Sequence, residues 1–368
     1  MKFRAAVLHA PSQALALETV EIADLQAGDV LVRVRASGLC HSDLEVIDGT
    51  LAFPTPIVLG HEVAGVVEAV GAAVKAVVVG DHIICSANPH CGQCFYCERD
   101  QPILCESYTQ SQARGVLLDG EPRLRMNGKA VHHMMHISGH AEYCVIPESG
   151  AVAVSKEIPF DCACIIGCGV ITGAGAVARI AEVQPGTSVL VLGCGAVGLN
   201  VVQAARLAGA ETIVAVDRRQ ERLDLAHKFG AEVMIRADND ADTISQVRAA
   251  THGRGADFVF EAAGHESAIG LSAELVRPGG ELVFLGKVQA GRQVSFRWGS
   301  LMGEKRITRS SYGGARPRRD FPWLVNSYLA GRFNLESLIT RRIDLSEVNS
   351  GFDDMRAGKG IRTVIMMP

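Results

Sequence analysis

The chain has 368 residues, of which 48% are hydrophobic and 21% charged, with a formal net charge of -4; this is an ordinary globular composition and excludes a disordered or fibrous chain. The acidic balance excludes a nucleic-acid partner on electrostatic grounds. Because single cores stop growing at about 250–300 residues, the length predicts two domains.

The N-terminal stretch MKFRAAVLHAPSQ lacks the apolar core of a secretory signal. The run CACIIGCGVITGAGAVA, residues 162–178, falls short of the roughly 18–20 strongly apolar residues of a bilayer span. A cytoplasmic protein with no membrane partner is expected. Eleven cysteines in such a chain read as metal ligands, reactive thiols or core residues, not as a disulfide framework.

In chain order, the first 70 residues carry the period-two pattern of strands, as in DVLVRVRASG (29–38) and VAGVVEAVG (63–71), between Gly, Pro and Asp turn signals. An all-β start is predicted. Residues 91–105 read CGQCFYCERDQPILC. Their spacing lets one loop wrap a tetrahedral cation with Cys91, Cys94, Cys97 and Cys105, and a four-thiolate shell leaves no open position, so this centre is expected to be structural zinc, with an iron–sulfur centre as the competitor. His132 and His136 have helical i, i+4 spacing and, with His133 and His140, invite a metal reading; without clustered carboxylates or cysteines, a loop and sheet edge is the expected setting. Cys85, Cys144, Cys162, Cys164 and Cys194 read as core residues.

From about Val170 the texture becomes the βαβ rhythm of a parallel sheet: SVLVLG, VGLNVVQAARLAG and TIVAVD, continuing through DFVFEAAG (257–264) and ELVFLG (281–286) and fading after about residue 308. Gly193, Gly195 and Gly198 form GCGAVG directly after a predicted strand and at the start of a helix, the pattern in which backbone approaches a pyrophosphate at a helix N-terminus. Cys194 inside this loop is expected to be oxidation-sensitive if the helix N-terminus favours its thiolate. Asp217 ends the next strand nineteen residues on, where a carboxylate accepts from the ribose hydroxyls and repels a 2'-phosphate. NAD is favoured over NADP, although Arg218 and Arg219 follow. ARPRRD (315–320) reads as a solvated loop. The strand-like tail IRTVIMM suggests that residues 309–368 return to the first domain.

A second constellation is scattered: Cys40 in GLCHSDL, His61 in GHEVAG and Cys168 in IGCGV. Each alone is more often packing; together they would supply two cysteines and one histidine and leave a fourth coordination position open.

The combination of GHE at 60–62, the four-cysteine segment, GCG at 167–169 followed by TGAGAV, and GxGxxG resembles the zinc-dependent alcohol dehydrogenases of the medium-chain dehydrogenase/reductase superfamily over nearly the whole chain. MNGKAVHHMMHISGHAEYCVIPE (126–148) is similar to the branch containing liver-type alcohol dehydrogenase and glutathione-dependent formaldehyde dehydrogenase. The resemblance implies an α/β chain: a GroES-like β-rich catalytic domain, residues 1–168 and 309–368, with an inserted Rossmann doubly wound parallel-sheet domain, 169–308, and an active site in the cleft between them. It implies one catalytic Zn2+ held by Cys40, His61 and Cys168, Glu62 close behind the metal, Asp43 orienting the histidine, and Ser42 taking the alcohol's proton. Cofactor contacts are implied for His41, Thr172, Ala196, Val197, Arg222 and Arg362. It further implies an NAD-linked alcohol, aldehyde or ketone oxidoreductase forming a homodimer through the Rossmann sheets, or a tetramer.

Four positions depart from that pattern. His41 replaces an arginine facing the pyrophosphate, and Glu45 replaces a histidine that ends the proton relay. Ala87 replaces an aromatic, and Ser42 a threonine. The last two predict a wider pocket, hence a bulky, aromatic or secondary alcohol. The alternatives are a glutathione- or mycothiol-dependent formaldehyde dehydrogenase, for which SYTQSQARG offers only Arg114 to a carboxylate, and a nucleotide-sensing zinc protein without activity.

Overall fold

The computed structural model describes residues 1–289 and 291–368, and these divide into two compact units. The first comprises Met1–Cys168, Arg316–Gly331 and Leu335–Pro368. Among its described residues, five strands close a barrel in the order Lys2–Leu8, Ala16–Ile22, Leu124–Met126, Lys129–His133 and Ile57–Val58. The barrel interior is filled by Phe3, Ala5, Val7, Val20, Val58, Leu124 and Val131, the inward positions of strands with period-two patterning.

A second sheet in this unit is built around Asp29–Gly38. That strand pairs antiparallel with Glu62–Val70, with Tyr143–Pro147 and, at its far end, with the returning tail Arg362–Met366. The register sets Gly38 opposite both Glu62 and Val364, so three segments distant in sequence meet where the strand ends. The expected all-β start is interrupted there by one short helix, His41–Ile47.

Two expectations change here. ARPRRD is not a solvated loop but the start of the helix Pro317–Leu329: Pro317 occupies the first turn, Asp320 accepts from Arg316 N at 2.8 Å, and Arg316 pairs with Asp100 at 2.6 Å. Proline at the first helical position carries no N–H to leave unpaired. The 162–178 run lies within a 21-residue helical stretch, Phe160–Ile180, long and apolar enough by composition to cross a membrane; 83% of its apolar window is buried inside the protein, as in a core helix.

The second unit is Gly169–Ala315 with Arg332–Asn334. Its described residues form a six-stranded parallel sheet in the order Val233–Arg236, Thr212–Asp217, Ser188–Leu192, Ala256–Glu261, Val276–Phe284 and Arg306–Arg309. The strands are linked by helices such as Ala196–Leu207, Gln220–Phe229 and Glu266–Leu275, and Leu190, Val214, Val216, Val259 and Leu282 are buried in one core. Such near-continuous apolar strands are what a parallel sheet covered on both faces requires.

The unit runs seven residues past the expected end at 308, to Ala315. Arg306–Arg309 is its sixth strand, and the turn Tyr312–Gly314 packs backbone to backbone on the helical stretch above Ile171: a Cβ on Gly175 would lie 2.4 Å from Gly313 O. Residues 332–334 also return to it, with Asn334 N donating to Gln203 Oε1 at 2.7 Å.

Candidate functional site

The first unit gathers the scattered constellation. Cys40 caps the helix His41–Ile47, and Asp43 reaches back so that Cys40 N donates to its Oδ2 at 3.0 Å. Gly60, held at φ +94°, donates its N–H to Asp43 Oδ1 at 2.9 Å, and His61 Nδ1 lies 3.2 Å from the same oxygen. That contact turns His61 Nε2 the other way, where it is buried with no hydrogen-bond partner. Cys168 sits in a π turn, Ile166–Val170, a helical irregularity frequent at functional sites.

One ligand atom from each of Cys40, His61, Glu62 and Cys168 lies within 4.8 Å of the others. Two sulfurs and an orphaned imidazole nitrogen, with a buried carboxylate behind the imidazole, are a donor set that fits zinc. The hydrogen bond from Cys168 holds the Cys40 thiol well below its usual range, aided by the charges of Arg362 and His61. Cys168, the donor, is correspondingly raised.

Glu62 is fully buried, and burial pushes its carboxyl up to about 8 against the pull of Arg362. Arg362 was expected at the cofactor pyrophosphate. Its guanidinium is instead buried, ion-paired to Glu62 at 3.0 Å and near Leu39 O at 3.3 Å, because the tail strand enters the sheet beside Gly38. Along the helix after Cys40, His41 is exposed, Ser42 and Glu45 are half-buried and Asp43 is buried.

The ligand atoms of Cys91, Cys94, Cys97 and Cys105 also lie within 4.8 Å of one another. Short turns at Cys97–Arg99 and Pro102–Leu104 fold the loop, and Cys105 precedes the helix Glu106–Ala113. The N–H groups of Cys97 and Glu106 lower the Cys94 thiol, and N–H donors of this kind favour the thiolate a metal needs. These residues fit a closed four-sulfur zinc centre.

In the second unit two of the three loop glycines have a steric reason within the fold. Gly193 is at φ +97°, with Ala263 N 2.5 Å from where a Cβ would stand. Gly195 faces open space, and a Cβ on Gly198 would lie 1.9 Å from Gly193 O. The helix Ala196–Leu207 begins with no side-chain cap, so the first-turn N–H groups, those of Ala196 and Val197 among them, are left to receive an anionic group such as a phosphate. Thr172 is half-buried in the same unit, and Gly173 beside it packs on Val197 O.

Asp217 is less free than expected. Its Oδ2 accepts from Cys194 N at 2.7 Å and its Oδ1 from Arg219 N at 2.9 Å, while Arg222 stands 3.9 Å away. A carboxylate has about four acceptor positions, so it both braces the glycine loop and keeps lone pairs for a ligand. Cys194 is fully buried, the core residue expected, and burial followed by the charge of Asp217 pushes its thiol up, so the helix N-terminus does not hold it as a thiolate.

Among the described residues His132, His133, His136 and His140 form no metal-holding group. His133 Nε2 accepts from Arg123 N at 3.0 Å, His136 Nε2 meets Ser111 Oγ at 2.7 Å, and His140 Nδ1 meets Ser37 Oγ at 2.9 Å. His132 lies on a strand and His136 in a turn at φ +60°, so their helical spacing is never realised. Two residues near the first metal cluster were not legible beforehand. Tyr108 packs on His136 at 5.1 Å, and its phenol is pushed up by burial and by the charge of Cys168. His140 lies behind Asp43. No local spacing signals either, since their partners are distant in sequence.

Residues 26–156 match the model of the alcohol dehydrogenase GroES-like domain, and 196–329 that of the zinc-binding dehydrogenases. The chain is 37% identical to an S-(hydroxymethyl)glutathione dehydrogenase of Escherichia coli O157:H7, over 99% of this chain and 100% of that one. A solved zinc-binding alcohol dehydrogenase domain protein from Burkholderia ambifaria superposes with a TM-score of 0.95 at 35% identity, covering 100% of this chain and 99% of that one. The benzyl alcohol dehydrogenase of Acinetobacter calcoaceticus does so at 0.94 and 31%, covering both chains fully. With both domains matched and full-length relatives at this identity, the chain belongs to the zinc-dependent alcohol dehydrogenase family of the medium-chain dehydrogenase/reductase superfamily and is an oxidoreductase.

Proposed function

We propose that this protein oxidises a bulky alcohol, aromatic or secondary, with NAD, and reduces the matching aldehyde or ketone in reverse. The observation that carries the reading is the buried cluster of Cys40, His61 and Cys168, two thiols and an orphaned imidazole nitrogen, a three-residue donor set that leaves a tetrahedral zinc one place for an oxygen ligand. When bound there, zinc supplies a Lewis acid for the alcohol oxygen and NAD accepts the hydride from its carbon.

The chain's own residues do the rest. Asp43 fixes the tautomer and direction of His61. Glu62, backed by Arg362, holds a carboxyl beside the ligands for their exchange. Ser42 Oγ takes the proton from the substrate hydroxyl and hands it to Glu45 or to solvent. Gly193, Gly195, Ala196, Val197 and Gly198 offer the pyrophosphate its backbone cradle, His41, Thr172 and Arg222 add contacts, and Asp217 selects NAD by repelling a 2'-phosphate. Cys91, Cys94, Cys97 and Cys105 hold a structural zinc. Ala87 and Ser42 leave room for a large substituent, and the likeness to a benzyl alcohol dehydrogenase supports that choice.

The second reading, a formaldehyde–thiol adduct as substrate, is favoured by the likeness to S-(hydroxymethyl)glutathione dehydrogenases. Against it, Arg114 donates to Gly120 O at 2.8 Å, which ties down the arginine such an adduct's carboxylate would seek. A screen of NAD reduction with benzyl alcohol, secondary alcohols, and formaldehyde with and without glutathione or mycothiol separates the two. An absolute thiol requirement refutes the first reading. We place the enzyme in the cytoplasm as a homodimer, or a tetramer; its free cysteines call for a reducing compartment.

A further inference from the structure

Behind the first metal cluster stands an imidazole that the reaction does not use. His140 is fully buried, and its backbone is pinned beside the metal loop: His140 N donates to Leu59 O at 2.9 Å, and Gly139 N to Gly60 O at 2.8 Å. Its Nδ1 is 2.9 Å from Ser37 Oγ. Its Nε2 has no hydrogen-bond partner and lies 4.0 Å from Asp43 Oδ1, the oxygen already shared by Gly60 N–H and His61. Space is reserved for this ring, because a Cβ on Gly60 would come within 2.5 Å of Nδ1, and Phe352 meets the ring edge to face at 5.9 Å.

A buried polar nitrogen without a partner costs roughly 1–3 kcal/mol, and an apolar ring would fill the same space without that cost. The orientation of the proton gives the nitrogen its use. A fully buried neutral ring carries one N–H. A Ser37 hydroxyl that donates across the 2.9 Å contact to Nδ1 leaves the proton on Nε2, where its dipole faces the carboxylate of Asp43. The other tautomer would set a lone pair against that carboxylate.

We propose that His140 is a positioning residue for the metal centre: its Nε2–H, fixed by Ser37, anchors Asp43 and through it the metal-binding direction of His61. The inference rests on the reading that Cys40, His61 and Cys168 hold a metal ion. Partners one shell behind a metal ligand change metal affinity by about 10–100-fold when removed. His140 stands one contact further out, so its loss belongs at the lower end.

The test uses the zinc-loaded protein challenged with a chromogenic chelator. His140→Phe should release the ion of the Cys40 cluster about tenfold faster than wild type, while the ion of Cys91, Cys94, Cys97 and Cys105 leaves at the wild-type rate. His140→Gln, which keeps an N–H, should restore most of the retention, and cobalt substituted at the Cys40 cluster should show shifted visible bands in the Phe variant only. Unchanged release with unchanged bands overturns the proposal, as does equal acceleration at both centres, which marks a general loss of structure. If His140→Phe does not fold, Ser37→Ala decides on the same two readings. A wild-type protein that binds metal only at the four-cysteine centre overturns the underlying metal reading, a result distinct from wild-type retention in the variant.

Discussion

Lowering the pH from 8 to 5.5 should cost the first unit about 3 kcal/mol of stability through two buried imidazoles. His133 and His136 are 1% and 0% exposed. Burial pushes them down to about 3 and about 4. In the unfolded chain each titrates near 6.5, so at pH 5.5 the unfolded state has bound a proton at both while the native state has bound neither. One pH unit below the unfolded value corresponds to roughly 1.4 kcal/mol per group. Because the unfolded state binds more protons, stability rises with pH. The penalty is absent above about pH 7.5, grows as pH falls through 6.5, and levels off only where the native rings themselves protonate.

Urea unfolding of the zinc-loaded protein at both pH values, for wild type and for His133→Gln/His136→Gln, isolates this effect, since acid loss of metal is common to both proteins. Glutamine preserves an acceptor for Arg123 N and a partner for Ser111. The variant should lose about 3 kcal/mol less than wild type across the interval. An equal pH effect in the two proteins would refute the assignment.

Three further outcomes are expected. Cys168→Ala should retain the fold and one zinc by metal analysis while turnover falls below detection, whereas Cys97→Ala should first lower the thermal unfolding midpoint and the yield of folded protein. Gly198→Val should abolish NADH binding by fluorescence titration, because its Cβ would stand 1.9 Å from Gly193 O; binding at wild-type affinity would contradict the loop geometry. Asp217→Asn should raise kcat/KM for NADP relative to NAD at least about tenfold by removing the repulsion of a 2'-phosphate, and should weaken the loop, since Cys194 N donates to that carboxylate.

Features carried by short windows were legible in the amino-acid order. Cysteine spacing at 91–105 and glycine spacing at 193–198 each describe one loop closing on itself, and their geometry depends on few other residues. Alternating and continuous apolar patterns separated the β-rich unit from the parallel sheet for the same reason. Local patterns gave way where partners came from elsewhere: ARPRRD became a helix start once Asp320 and Asp100 engaged Arg316, and at Cys194, a core residue as read, burial and Asp217 outweighed the pull of the helix N-terminus on its thiol. The end of the second unit moved to Ala315 because Gly313 packs on Gly175.

The convergence of Cys40, His61 and Cys168 is a property of the tertiary structure. It depends on the register that sets Gly38 opposite Glu62 and on Asp43 bridging Cys40, Gly60 and His61. The pairing of Arg362 with Glu62, and the approach of His140 to Asp43, come from strand partners far along the chain. A buried charge or imidazole takes its state from whatever is packed within a few ångströms, and residues distant in sequence supply that packing.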